Sequence, residues 1–410
     1  MIQLLHARDR FQRGFHPVFF VRGGLAMVAA VSFVSSATAQ PTPTSSLGGK
    51  VVIPFANSKE IRSGSGWPEA TFETGVTLAV SIDGGAVRTP LVDTGSTGYA
   101  VSAASLPDYD RLVKKPGAVP GWTFFSSSKR LWVGHWVPVT VALFDRGHEV
   151  ATARVPVLGV EREAFCPDYA GGGTCEGARL IPPVKPIDYL GIGFARERNF
   201  QPQGTPDKNV LLNIVTLKGK PAPTPHRGYI LGPEGITIGF AEADLTGFTR
   251  IPLGRDPSND RAGEMGIEPE WRPVPVRISV DGRSCPTIGT ALFDTGIAQM
   301  YLTVPTLTYR TVTVLDPSVK ARRIKVLAPG EMVALDFGTP AHALPARALP
   351  TYAFTVSAAP ATDAAGIEPL VVIPTTKGAC YANTGRRFFR RYRYLYDNSA
   401  GYVGLQPVEP

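Results

Sequence analysis

The chain has 410 residues, with 43 Gly, 38 Pro, four Cys and a formal charge of +8. That length exceeds what one hydrophobic core usually organises and favours two lobes, and the Gly and Pro content favours many turns. The charge excess is too dispersed for nucleic-acid binding, and the single basic cluster, Arg386, Arg387, Arg390, Arg391 and Arg393, is read as the solvated face of a short helix.

At the start of the chain, Arg8, Arg10, Arg13 and Arg22 precede an apolar run from Leu25 to Val34 and the small-residue site Ala37-Thr38-Ala39. This is the pattern of an export signal spanning 1–39 and cut before Gln40. An apolar run of about ten residues is too short to cross a hydrocarbon layer of roughly 30 Å, so no membrane attachment is expected after cleavage. Removing the leader's four Arg and one Asp lowers the charge to +5. Residues 40–49 have the composition of a flexible spacer, followed by an N-terminal β lobe over 50–245 and a C-terminal β lobe over 246–410.

Val51 to Phe55 is predicted as the first strand. Val76 to Ile82, the turn Asp83-Gly84-Gly85 and Thr89 to Val92 form a hairpin that delivers Asp93. Trp122 to Phe125 and Trp132 to Leu143 flank a polar tip, Ser126-Ser127-Ser128-Lys129, and predict a second hairpin. Val155 to Val160 is a further strand, and Tyr229 to Leu231 with Ile236 to Phe240 makes a third hairpin. A polar break follows over 256–264. Val276 to Val280, Asp281-Gly282 and Thr290 to Phe293 then repeat the first unit and deliver Asp294. Val-Ser-Ile-Asp-Gly in the first half is answered by Ile-Ser-Val-Asp-Gly in the second, which argues for duplicated halves. The best helical candidate is Gly385 to Tyr394.

The repeat centres on Leu91-Val-Asp-Thr-Gly-Ser96 and Leu292-Phe-Asp-Thr-Gly-Ile297. Each copy places one carboxylate on a turn between apolar strands. Two carboxylates within hydrogen-bonding distance share one proton over a wide pH range, so one acts as base toward a water and the other as acid toward a peptide carbonyl. This chemistry needs neither a metal nor a cofactor. Gly95 and Gly296 permit the tight turns, Thr94 and Thr295 carry hydroxyls able to bond across to the opposite loop, and Ser96 favours the ionised form of Asp93.

The four cysteines lie after the leader and suit an oxidising compartment, the periplasm or the exterior. Of three connectivities, Cys166 with Cys175 and Cys285 with Cys380 keeps each pair within one half of the chain.

With both turns in view, the sequence resembles the pepsin-like aspartic peptidases of the secreted bacterial type. The resemblance implies an all-β fold of two similar lobes with few helices, an active-site cleft between them that takes a polypeptide, and a monomer. In that family a hydrophobic-hydrophobic-Gly element braces each Asp loop, and Tyr189-Leu190-Gly191 fits that role in the first half. The ending from Gly385 through Phe388-Phe389 to Tyr402-Val403-Gly404-Leu405 is similar to the family's closing glycine, short helix and last strand.

Three positions depart from the pattern. Ile297 stands where the family has Ser or Thr, so the pair is expected to titrate higher and to work toward neutral pH. No tyrosine occupies the flap hairpin, where Phe125 is the candidate for covering substrate. Asn383-Thr384 replaces the two apolar residues before Gly385, which is expected to weaken the second brace. A rival reading is a secreted binding protein that keeps the cleft without turnover. A serine or metal hydrolase is disfavoured, because His135, His148, His226 and His342 show no metal-ligand spacing and no Gly-x-Ser-x-Gly elbow occurs.

Overall fold

The computed structural model describes residues 49–56, 75–195, 201–222, 227–256, 269–317, 321–339, 349–358 and 366–408. The expected leader, nearly all of the spacer, the polar break beyond Asp256, His226 and His342 lie outside the described residues. Within them the chain is nearly all β, with two lobes built on curled sheets, and all of them belong to one compact unit spanning 46–410.

The first lobe is a nine-stranded sheet drawn from residues 79–221, and the second is an eight-stranded sheet drawn from residues 274–383. A third, six-stranded sheet belongs to both halves. It runs Val51–Ile53, Gly235–Ile238, Gly228–Gly232, Tyr392–Asp397, Tyr402–Pro407, Thr249–Pro252, so the last two strands of the chain sit between a strand of the first half and the strand that opens the second. Buried side chains from all three sheets meet in one large apolar core, with smaller clusters beside it.

In the first lobe the strands Arg130–Asp145 and His148–Phe165 pair along their whole length, with register shifts at Val133/Gly134 and Leu143/Phe144. Such bulges bend a long ribbon and let it curl. Gly134 is required at the bend, because a Cβ there would lie 1.8 Å from the Gly159 carbonyl oxygen.

The duplicated unit is used in the same way twice. Asp83 and Asp281 both adopt positive φ, 46° and 47°, and each is followed by a positive-φ glycine. This is the backbone of a hairpin turn whose twist matches its strands. Asp83 Oδ1 accepts from the Thr140 N–H and Asp281 Oδ1 from the Met332 N–H, both at 2.8 Å, so each turn is pinned to a neighbouring strand. The first hairpin is looser than the sequence suggests. Strand Ala79–Ile82 pairs mainly with Arg130–Asp145 and meets the returning chain only at the Thr77–Leu91 and Val80–Arg88 bridges.

One expectation is overturned at the C-terminal end. The short helix expected from Gly385 to Tyr394 is confined to a 3-10 helix over Arg386–Arg390 that runs into strand Tyr392–Asp397, and it does not carry its basic residues on a solvated side. Arg386 and Arg387 are not on a solvated face; they are 7 % and 2 % exposed. The turn is too short to have an outer face, and Phe388 and Phe389 pull it into the core.

Candidate active site

Asp93 ends the strand Leu91–Asp93, and Asp294 follows the strand Gly289–Leu292. Parallel pairing braces both. Leu91 and Val92 lie beside Tyr189 and Leu190, whereas Ala291 and Leu292 lie beside Ala382 and Asn383. Asp93 and Asp294 are 5 % and 6 % exposed, and their carboxyl groups face each other closely enough to interact across the line where the lobes meet.

The two turns are built alike. Gly95 N–H donates to Asp93 Oδ1 at 2.7 Å, and Gly296 N–H donates to Asp294 Oδ1 at 2.7 Å. Each threonine hydroxyl crosses to the other turn. Thr94 Oγ1 donates to the Phe293 carbonyl at 2.7 Å and accepts from Thr295 N–H at 3.0 Å. Thr295 Oγ1 donates to the Val92 carbonyl at 2.7 Å and accepts from Thr94 N–H at 3.0 Å. All four bonds are buried, so they fix the separation of the loops with little freedom.

The glycines face the opposite carboxyl group. A Cβ on Gly95 would lie 2.4 Å from the Asp294 carboxyl, and one on Gly296 would lie 2.5 Å from Asp93 Oδ1. No larger residue leaves room for the pair.

Burial raises both carboxyls. Asp294 is pushed up to about 7, first by burial and then by the charge of Asp93, against the opposing bonds from Asn383 and Gly296. Asp93 is raised by burial too, but the Ser96 hydroxyl, the Gly95 N–H, the neighbouring Asp294 carboxyl and the Arg386 charge all oppose the shift. The Ser96 hydroxyl acts from close by without completing a well-formed hydrogen bond. The pair therefore retains one proton to near neutral pH and titrates as a unit, with Asp294 the better holder.

A cleft with about 160 Å³ of room opens above the pair. On one side Phe125, Trp132 and Tyr189 pack with ring centroids 4.5 to 5.8 Å apart, and on the other stand Leu292, Ile297 and Tyr381. The exposed tip Ser126-Ser127-Ser128 overhangs the cleft from the hairpin of Val119–Phe125 and Arg130–Asp145. Cys166 bonds Cys175 beside this tip, where the Cys166 N–H donates to the Lys129 carbonyl at 2.7 Å. Cys285 bonds Cys380, tying the second brace to the chain that delivers Asp294.

Three functional placements escaped the sequence reading. Asn383 does not weaken the second brace. Its Nδ2 donates to Asp294 Oδ2 at 2.6 Å and its Oδ1 accepts from Gly385 N–H at 3.0 Å, so it supplies a bond that Ile297 cannot. Its polarity inside an apolar brace was the available signal. Arg386 lies at the base of the second turn, where its guanidinium donates to the Gly296 carbonyl at 2.8 Å.

The third placement is a strap formed by Gln201 and Gln203. Gln201 Oε1 accepts from Thr97 N–H and Oγ1 while its Nε2 donates to the Phe124 carbonyl. Gln203 Oε1 accepts from Trp122 N–H and Trp136 Nε1. Together they fasten the overhanging hairpin to the strand that leaves the first turn. Nothing in the composition of 201–204 marks it, though Gly204 is obligatory, since a Cβ there would lie 1.6 Å from Thr97 Oγ1.

No protein-family model matches this chain, and no curated protein is significantly similar to it.

Proposed function

We propose that the chain is an aspartic endopeptidase in which Asp93 and Asp294 activate a water against a peptide bond held in the cleft. The observation that carries this reading is the matched pair of turns: two buried, electrostatically coupled carboxyls, each held by the glycine N–H of its own turn and facing the other's glycine. In the proposed cycle Asp93, whose neighbours favour its charge, takes a proton from the water. The water oxygen attacks the carbonyl carbon, and protonated Asp294 gives its proton to the carbonyl oxygen. Collapse of the tetrahedral gem-diol breaks the C–N bond: the proton held by Asp93 passes to the leaving amine, and one hydroxyl of the gem-diol returns its proton to Asp294, leaving the carboxylic acid and the pair in its starting form. The raised Asp294 keeps the acid form available to near neutral pH, in keeping with a working range above that of strongly acid-adapted relatives.

The hairpin carrying Phe125 is the proposed cover for the bound polypeptide, with the Gln201 and Gln203 strap limiting its swing in place of a flap tyrosine. The two disulfides accord with a periplasmic or secreted address. Among the described residues no helix is long and apolar enough to cross a membrane.

The test is hydrolysis of a denatured protein from acid to neutral pH, with stoichiometric titration by a statine-type inhibitor. Activity that is stopped by the inhibitor and lost in Asp93→Asn and Asp294→Asn is the expected result. Tight inhibitor binding without hydrolysis would replace this reading with that of a binding protein.

A further inference from the structure

Arg386 occupies an unusual place. It follows Gly385, which has a φ of 64° and approaches the Gln299 carbonyl so closely that a Cβ would lie 2.6 Å from it. This close turn drives the next side chain under the active-site loops instead of outward. In the first lobe the equivalent step after Gly191 leads to Ile192, an apolar core residue. At this step the two halves therefore differ by one buried cation.

The side chain and the backbone of Arg386 both tie it to the second turn. The guanidinium donates to the Gly296 carbonyl, while the Arg386 N–H donates to the Ile297 carbonyl at 2.9 Å. Gly75 leaves space for it, since a Cβ there would lie 3.3 Å from Nη1. The Gly296 peptide is thus held at both ends, by Arg386 on its carbonyl and by Asp294 on its N–H.

A buried guanidinium needs compensating negative charge. The titratable groups that face Arg386 are Asp294 on the second turn, Asp93 on the first and Tyr189 on the brace Asp188–Ile192. Tyr229 and Tyr301 lie further out, in the fields of Asp93 and Asp294. Burial raises all three tyrosines, so from acid to neutral pH only the aspartate pair changes charge.

We propose that Arg386 is a positioning residue whose guanidinium is the built-in countercharge of the singly ionised aspartate pair, compensating in the second lobe for the hydroxyl that Ile297 lacks. The pair carries one negative charge in its working form, Arg386 carries one positive charge, and the buried centre is neutral overall. Its consequence for catalysis rests on the peptidase reading, but its electrostatic content does not.

The test uses the full chain with Arg386→Met, Arg386→Gln and Arg386→Lys, and reads thermal stability at pH 7 and pH 4. A countercharge matters where the pair is ionised, so the loss of melting temperature in the Met and Gln variants should be at least twice as large at pH 7 as at pH 4. The Lys variant should recover most of it. An equal loss at both pH values, or Lys faring no better than Met, would overturn the proposal and leave Arg386 a simple hydrogen-bond donor to Gly296. If the neutral variants fold only at the lower pH, the proposal stands. If all three variants fail at both, it falls.

A second readout is the pH profile of kcat/KM. Without the cation both carboxyls hold their protons longer, so the acid limb of the Gln variant should move up by about one pH unit or more. Loss of the peptidase reading would appear instead as wild-type protein that hydrolyses nothing while still showing the pH-dependent stability.

Discussion

Replacing Asp93 by Asn removes one of two like charges and keeps the shape of the site. The Asn carbonyl can still accept the Gly95 N–H bond of 2.7 Å, and its NH₂ takes the place of the other oxygen, where it can donate to Asp294. Asp294 stands about three units above its ordinary 3.8, which at 1.36 kcal/mol per unit is about 4 kcal/mol. Burial is the larger cause and survives the substitution, so the part that depends on Asp93 is about 1–2 kcal/mol.

The sign follows from proton uptake. Below about pH 4 Asp294 is protonated in both folded and unfolded chains, and the shift costs nothing. As pH rises toward 7 only the unfolded chain releases the proton readily, so folding stability erodes across that window. Asp93→Asn should shed part of the erosion. Urea denaturation of wild type and variant between pH 4 and 8 should show the variant gaining about 1–2 kcal/mol on the wild type over that range, while hydrolysis is lost. A stability difference that does not change with pH would refute the argument from mutual repulsion.

Asn383→Leu removes a donor from an ionisable oxygen, so Asp294 should rise further and the alkaline limb of the activity profile should move up by about one unit. An unmoved limb would show that the bond is equally good to both protonation states. Thr94→Val deletes one buried donor and one buried acceptor between the loops and should cost about 2–4 kcal/mol in denaturation, with kcat falling more than KM rises. Gln201→Leu frees the overhanging hairpin from the first turn. Faster amide exchange at Phe124 and Phe125 and a raised KM are expected, with the melting temperature changed far less than in Thr94→Val. Replacing Cys285 and Cys380 by Ser opens a link that spans 95 positions and should cost about 2–5 kcal/mol, whereas the Cys166 link spans 9 and should cost less.

Much of this architecture was legible because it rests on local pattern. The repeated Asp-Gly turns, the apolar runs into each Asp-Thr-Gly and the hairpin at Ser126-Ser127-Ser128 depend on residues close together in the chain. The pairing of four cysteines was likewise narrow enough to choose. What escaped depends on partners far apart. Asn383 bonds a carboxyl 89 positions away, and Gln201 bonds a backbone 104 positions away. Arg386 reads in the sequence as a surface residue because its neighbours are also arginines, and only the close turn at Gly385 sends it inward. The sheet shared by both halves was hidden for the same reason, since strand composition shows that a segment pairs but not with which one.

That shared sheet also sets a timetable. Strand Gly228–Gly232 of the first half pairs on one side with Tyr392–Asp397, and Thr249–Pro252 pairs with Tyr402–Pro407. A chain still being synthesised through its second Asp-Thr-Gly turn already possesses both carboxyl groups, yet lacks the strands that complete the shared sheet. The shared sheet is therefore complete only when residues 392–407 have been delivered, so the two halves cannot be closed as separate units during synthesis.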